Sequence, residues 1–248
     1  MHVNNIDNSD EIASHMLAAY PMEGCGYIQN NTFYPVQNVA DDPINSFSFP
    51  QGLTEILIDK AEPYSIIHSH TTRSGKYDLR CPTKLDMAGQ QRTEVPWGIV
   101  HCDGIGISSI LWFGPPQDTT LVGREYLPNI NDCFTICRDY YWQNYKLQFP
   151  SYPREIDWTT KDPGMLIEHL PTSTGWVALA KGTNIEVGDL VLFRIASQYP
   201  NHLGVIITDT NFIHHLADRL SMEDPIIKWK QFIFKVLRYS VLRTVLLT

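Results

Sequence analysis

Apolar and polar positions along this chain recur in two sets of elements. After Ser9, a candidate helix cap, Ile12, His15, Met16 and Ala19 fall at helical spacing and predict a helix over 9–19. Residues 24–29 and 32–38 read as two short strands, with Asn30-Asn31 between them as a hairpin turn signal. Residues 52–61 predict a helix ending before Pro63, and Tyr64 to His68 a strand of the buried type. A second helix is expected over 83–92, then strands over 97–101 and 105–112. Helices interleaved with strands give an α/β or α+β domain, a sheet flanked by helices. Gly114-Pro115-Pro116 then stops the last strand and cannot continue into a helix. That sets a boundary near residue 120 and two domains, 1–120 and 121–248. The rear domain opens with a helix at about 132–147, followed by strands at 189–194, 202–208, 211–215 and 235–246, an α+β order.

Composition narrows the classes. At 248 residues there is room for two domains of ordinary size, and 43% hydrophobic content suits a globular chain. The net charge of −8, from 19 Lys+Arg against 27 Asp+Glu, gives no reason to expect a nucleic-acid partner and has the wrong sign for an anionic membrane surface. No apolar run approaches the roughly 20 residues that span a bilayer. The N-terminal stretch lacks the basic start and apolar run of a signal peptide, so folding in a cytoplasm without membrane insertion is expected. Lys228–Arg243 is a basic stretch, read as a solvated strand face or a contact for another protein. Cys25, Cys81, Cys102, Cys133 and Cys137 are odd in number and none has CxxC spacing, which argues against a disulfide framework. Four read as inert buried thiols; Cys133 has a different setting.

His68-Ser69-His70 ends a predicted strand, and alternation turns both imidazoles to one face, where they can grip a divalent ion. Alone, such a pair is as readily two hydrogen-bonded histidines. Thr83 is a candidate cap for the next helix, so Asp86 is either the acidic member of a capping box or a third ligand. Zinc in catalytic sites commonly takes three protein ligands and leaves one position for water. Glu23, just before a predicted strand, is a solvated charge or a base for that water. Glu23, then His68-x-His70, then Thr83-x-x-Asp86 resembles the JAMM metallopeptidase motif, and Glu23-Gly24-Cys25-Gly26 and Pro96-Trp97-Gly98 resemble its flanks. The resemblance implies zinc on His68, His70 and Asp86, Glu23 activating the metal water, and Thr83 helping to hold the tetrahedral intermediate. Thr83 stands where the family has serine and Thr71 where it has proline, and the loop from His70 to Asp86 is longer than usual.

In the rear half, Asn131 or Asp132 can cap a helix whose first turn holds Cys133. Free N–H groups and the helix dipole there favour a thiolate and can form an oxyanion hole. His202 starts a strand, and a hairpin near Thr208–Asn211 can bring His214 behind it. Singly, these are also a core cysteine and strand histidines. Asp132-Cys133, Gly188-Asp189, His202-Leu203-Gly204 and Phe212-Ile213-His214 together resemble the papain-like NlpC-type cysteine peptidases. The resemblance implies Cys133 as nucleophile, His202 as base and His214 as orienting residue, with His215 facing away. Phe134 and Thr135 replace the small Ser-Gly usual after the cysteine.

A JAMM domain followed by an NlpC-type domain resembles the tail-tip assembly proteins of lambda-type bacteriophages. That implies other tail-tip proteins and peptidoglycan stem peptides as partners, in the host cytoplasm during assembly or at the virion tail tip. The alternatives are a non-enzymatic assembly factor and an isopeptidase acting on ubiquitin-like proteins.

Overall fold

A computed structural model describes residues 9–59, 62–75, 79–149, 152–164, 166 and 175–240. The chain divides into two compact units, Met1–Pro115 and Pro116–Thr248. The division precedes residue 120 because the linker is hydrogen-bonded into the rear unit. There Gln117 donates its N–H to Asp139 Oδ1, and Arg124 donates to Asp139 and to the Thr119 and Thr120 carbonyls.

The front unit runs α1 (Ser9–Ala19), β1 (Cys25–Gln29), β2 (Thr32–Val36), α2 (Leu53–Asp59), β3 (Tyr64–Thr71), α3 (Lys84–Thr93), β4 (Trp97–Cys102) and β5 (Leu111–Phe113). Asn30 and Asn31 hold φ of 51° and 59°, the left-handed pair that a two-residue hairpin needs and asparagine tolerates. The sheet order is β2-β1-β3-β4-β5, parallel between β3 and β4 and antiparallel elsewhere. Helix α1 buries Ile12 and Met16 against Ile28, Phe33, Ile67 and Val100, each large side chain contributing about 1.5–3 kcal/mol. Alternation along β3 sends His68 and His70 to the face opposite Ile67. The strand expected over 105–112 starts only at Leu111. Asp103 Oδ1 accepts from the Ile105 and Gly106 N–H groups and bends the chain there, leaving an isolated Cys102–Ile107 bridge.

The rear unit runs α4 (Cys133–Tyr145), α5 (Trp158–Lys161), β6 (Trp176–Ala178), β7 (Leu190–Phe193), β8 (His202–Ile206), β9 (Asn211–His214), β10 (Met222–Pro225), a 3-10 turn (Ile226–Phe232) and β11 (Ile233–Tyr239). Its sheet, ordered β10-β9-β8-β7-β11-β6, is antiparallel throughout. On one face α4 packs Phe134, Ile136 and Tyr141 against Leu190, Leu192, Leu203, Val205 and Ile213. On the other, Val191, Phe193, Ile206 and Phe212 meet Trp229 and Phe232 of the 3-10 turn. Burial on both faces explains why β7 is an unbroken apolar run. At Gly204 a Cβ would lie 2.6 Å from the Phe212 ring, so glycine lets the two strands close. The elements α5, β6, β10 and the 3-10 turn have no counterpart in the sequence reading. Residues 60–61 of the helix expected over 52–61, 241–246 of the last strand and Arg243 lie outside the described residues. Among the described residues no helix is long and apolar enough to cross a membrane.

Candidate active sites

In the front unit the two β3 histidines meet the first turn of α3. His68 Nε2 lies 3.1 Å from His70 Nε2 and 3.3 Å from Asp86 Oδ1, and His70 Nε2 lies 3.2 Å from Asp86 Oδ2. The two His–Asp contacts end on different carboxylate oxygens, and separations of this length are those of ligand atoms that each stand about 2.0 Å from one zinc ion. Two bare imidazole nitrogens repel at 3.1 Å, so a proton or a cation belongs between them. Among the described residues this is the one His/Cys/Asp/Glu group able to hold an ion. Burial opposes the charge of Asp86, but His68 and His70 outweigh it and hold the carboxyl well below the usual range.

Asp86 closes the capping box and also stands in the cluster with His68 and His70. Thr83 donates its N–H and its Oγ1–H to Asp86 Oδ2, each at 2.7 Å, and Thr83 Oγ1 accepts from the Asp86 N–H. One carboxylate thus closes a capping box and completes the cluster. The Thr83 hydroxyl is committed to it, so Thr83 acts through Asp86. His70 donates Nδ1–H to the Leu79 carbonyl at 3.1 Å, which turns Nε2 inward. His68 is held by aromatic rings, Phe47 stacked at 4.5 Å and Trp97 edge-on at 5.9 Å. Phe47 comes from the irregular loop after β2, which Asn38 ties down through the Glu23 and Ser46 carbonyls and the Ala40 and Ser48 N–H groups. Glu23 is buried. The Cys25–His68 register, continued by the Ser69 N–H to Gly24 carbonyl bond, brings Glu23 to the end of β1 beside β3, outside the His68, His70 and Asp86 group.

In the rear unit Asp132 caps α4. Its Oδ1 accepts from the Phe134 and Thr135 N–H groups at 3.0 and 2.9 Å, and its Oδ2 pairs with the buried Arg154. Thr135 Oγ1 closes the box by accepting from the Asp132 N–H, and the Arg154 guanidinium lies 4.7 Å over the Phe134 ring. The two residues that replace Ser-Gly therefore lock the helix start. Cys133 opens the helix, and its sulfur accepts from the Leu203 N–H. Leu203 lies past the last β8–β9 pair, Gly204–His214. Burial, then the Asp132 charge, pushes the Cys133 thiol up to about 12. Cys137 is a fully buried core thiol.

His202 Nε2 lies 2.9 Å from His214 Nδ1. Alternation sends His215 elsewhere, with Nε2 on the Arg219 carbonyl and its ring edge-on to Tyr126. Leu203 and Val205 face α4, while His202 stands among Phe193, His214 and Trp229. The Cys133 sulfur thus meets β8 at the Leu203 amide. The structure brings His202 and His214 together and sets Cys133 one residue away, without a direct Cys133–His202 hydrogen bond. Two residues absent from the sequence reading complete the group. Asp224 Oδ2 lies 3.3 Å from His214 Nε2, and Trp229 donates Nε1–H to the same oxygen at 3.1 Å.

Burial pushes His202 well below the usual imidazole range, with His214 and His215 adding to the shift. Burial also lowers His214, to about 4, against the pull of Asp224. With the thiol raised and the imidazole lowered, both groups are neutral at rest. These histidines also make stability depend on pH. In the unfolded chain they protonate near 6.5, while folded His214 resists until about 4. The stability they confer is present above pH 6.5 and is lost as pH falls toward 4, roughly 3 kcal/mol for His214 alone. Urea unfolding of the rear unit at pH 7 and 4.5 should show this loss, and His214→Gln should flatten it. An equal slope in parent and variant would contradict the assignment.

Residues 123–238 match the NlpC/P60 family. The chain is 25% identical over 240 residues to the "Tail tip assembly protein K" of Escherichia phage N15, covering 94% of this chain and 95% of that protein. It is also 25% identical over 185 residues to the protein of the same name from Escherichia phage lambda, covering 74% of this chain and 85% of that one. Among solved structures, an NlpC/P60 family protein from Bacillus cereus aligns at 14% identity with a TM-score of 0.34, over 91% of this chain and 66% of that one.

Proposed function

We propose that this chain, homologous to phage tail tip assembly protein K and carrying an NlpC/P60 domain, is a tail-tip assembly protein that hydrolyses peptidoglycan stem peptides through Cys133. The observation that carries the reading is the His202–His214 pair at 2.9 Å on the strands that α4 packs against, with a capped, helix-initial cysteine at the neighbouring Leu203. The Cys133 sulfur attacks the scissile carbonyl while its proton passes to His202. The oxyanion faces the amide end of α4, where N–H groups and the helix dipole stabilise it. The C–N bond breaks as His202 returns the proton to the leaving amine. Water, with His202 again as base, then hydrolyses the thioester. His214 orients His202 throughout. Partners are other tail-tip proteins, and the setting is the host cytoplasm during assembly or the tail tip. Mass spectrometry of purified stem peptides incubated with the full chain should show two fragments, one with a new amine; intact peptides would reject the substrate.

In the front unit His68, His70 and Asp86 would hold zinc, a reading supported by their close mutual spacing and by burial of all three. Bound there, zinc would polarise an amide carbonyl and acidify a water. Glu23 would serve as base toward such a water, Thr83 and Leu79 keep Asp86 and His70 aligned, and Phe47 covers His68. The purified chain should carry about one zinc, His68→Ala/His70→Ala none, and Thr83→Ala should bind about 10–100-fold more weakly. Metal analysis after dialysis checks this; a parent that takes up no zinc rejects the site.

A further inference from the structure

Asp224 lies on β10, and its carboxylate reaches His214 diagonally across the β9–β10 pair. An ionised carboxylate has no proton to give, so His214 Nε2 must be the donor in that bond. Neutral His214 then carries a bare Nδ1, and that atom faces His202 Nε2. His202 Nε2 must in turn be protonated, which leaves the lone pair on His202 Nδ1. The chain of donors has one solution. With His214 in its other tautomer, His202 would present an N–H where a base is needed.

We propose that Asp224 is a positioning residue that sets the tautomers of His214 and His202, making Nδ1 of His202 the atom that accepts the Cys133 proton. Trp229 fixes the carboxylate by donating to the same oxygen, and its ring stands edge-on to His214 at 4.8 Å. When His202 gains the proton, its Nε2–H still donates to His214, and the positive charge is balanced through His214 by Asp224. No proton reaches the carboxylate. His215 and Arg219, which also act on His214, work against a cation there, and Asp224 supplies the opposing charge.

The proposal rests on Cys133 and His202 being nucleophile and base, but its test needs no substrate. In full-length protein labelled with 15N-histidine at neutral pH, ring shifts should show both His202 and His214 protonated at Nε2 and bare at Nδ1. Asp224→Asn keeps a neutral oxygen acceptor and should keep this pattern. Asp224→Leu removes the acceptor and should mix the tautomers of both rings. Asp224→Ala does the same with less bulk if the leucine variant does not fold. Stem-peptide cleavage by Asp224→Leu should fall about 10–100-fold in kcat with KM little changed, and Asp224→Asn should recover part of it. Unchanged His202 and His214 spectra in folded Asp224→Leu or Asp224→Ala would overturn the proposal. Mixed tautomers in a protein that cuts no stem peptide would uphold it and reject the wall substrate instead.

Discussion

Cys133→Ala is expected to end stem-peptide cleavage, a loss of about ten-thousand-fold or more, while the rear unit stays folded. The two halves of that expectation have separate causes. In the proposed mechanism Cys133 is the nucleophile, and without it neither Cys137, a buried core thiol of α4, nor an imidazole would form the thioester. The fold does not lean on the sulfur, because the start of α4 is secured by Asp132, Thr135 and Arg154. The lost bond from Leu203 and the small change in volume together cost about 1 kcal/mol. Comparing cleavage rates and unfolding midpoints of parent and variant checks both. Cleavage at the parental rate would remove Cys133 from the chemistry; a collapsed fold would show it to be structural.

The largest expected loss of stability lies away from the candidate chemistry, at Asp139. Its carboxylate is fully buried and accepts from Arg124, Arg138 and the Gln117 N–H. Both guanidiniums are nearly buried too. Asp139→Ala would leave two cations in the interior facing each other across an emptied site. Removing one partner of a buried ion pair costs about 3–5 kcal/mol, which lowers the melting temperature of a unit this size by on the order of 10 °C. The loss should fall on the rear unit, because this carboxylate pins the 117–124 segment to α4. A change below about 1 kcal/mol in urea unfolding would mean that solvent reaches the arginines and replaces the carboxylate.

What could be read from the sequence was local. The spacing of His68 and His70 on a strand, Asp132 before Cys133 and the Asn-Asn hairpin depend on neighbours a few residues apart, and the structure has each. Geometry also told His214 from His215 as the partner of His202, and showed Asp86 capping α3 while facing His68 and His70. The groups around each site were not legible. Phe47 reaches His68 from a loop without periodicity, and Leu79 contributes only a carbonyl, which every residue has. Asp224 sits in Met222-Glu223-Asp224-Pro225, a short edge strand lacking the alternation of a half-buried one. The 3-10 turn that brings in Trp229 packs Ile226, Trp229 and Phe232 at three-residue spacing, a period that matches neither an α-helix nor a strand. Asp139 in the middle of α4 resembles an ordinary polar helix position until Arg124 arrives from the linker. In each case the partner lies far along the chain, and side-chain identity carries no record of it.

The proposed chemistry assigns the wall peptide to Cys133 and not to the His68, His70 and Asp86 group. The measurement that decides it is stem-peptide cleavage by the full chain after chelation and dialysis, with and without zinc added back. Nothing in the Cys133, His202, His214 and Asp224 group needs a metal, so cleavage should proceed at the same rate in both samples. Cleavage lost on stripping and restored by zinc would assign the wall substrate to His68, His70 and Asp86 and contradict the claim.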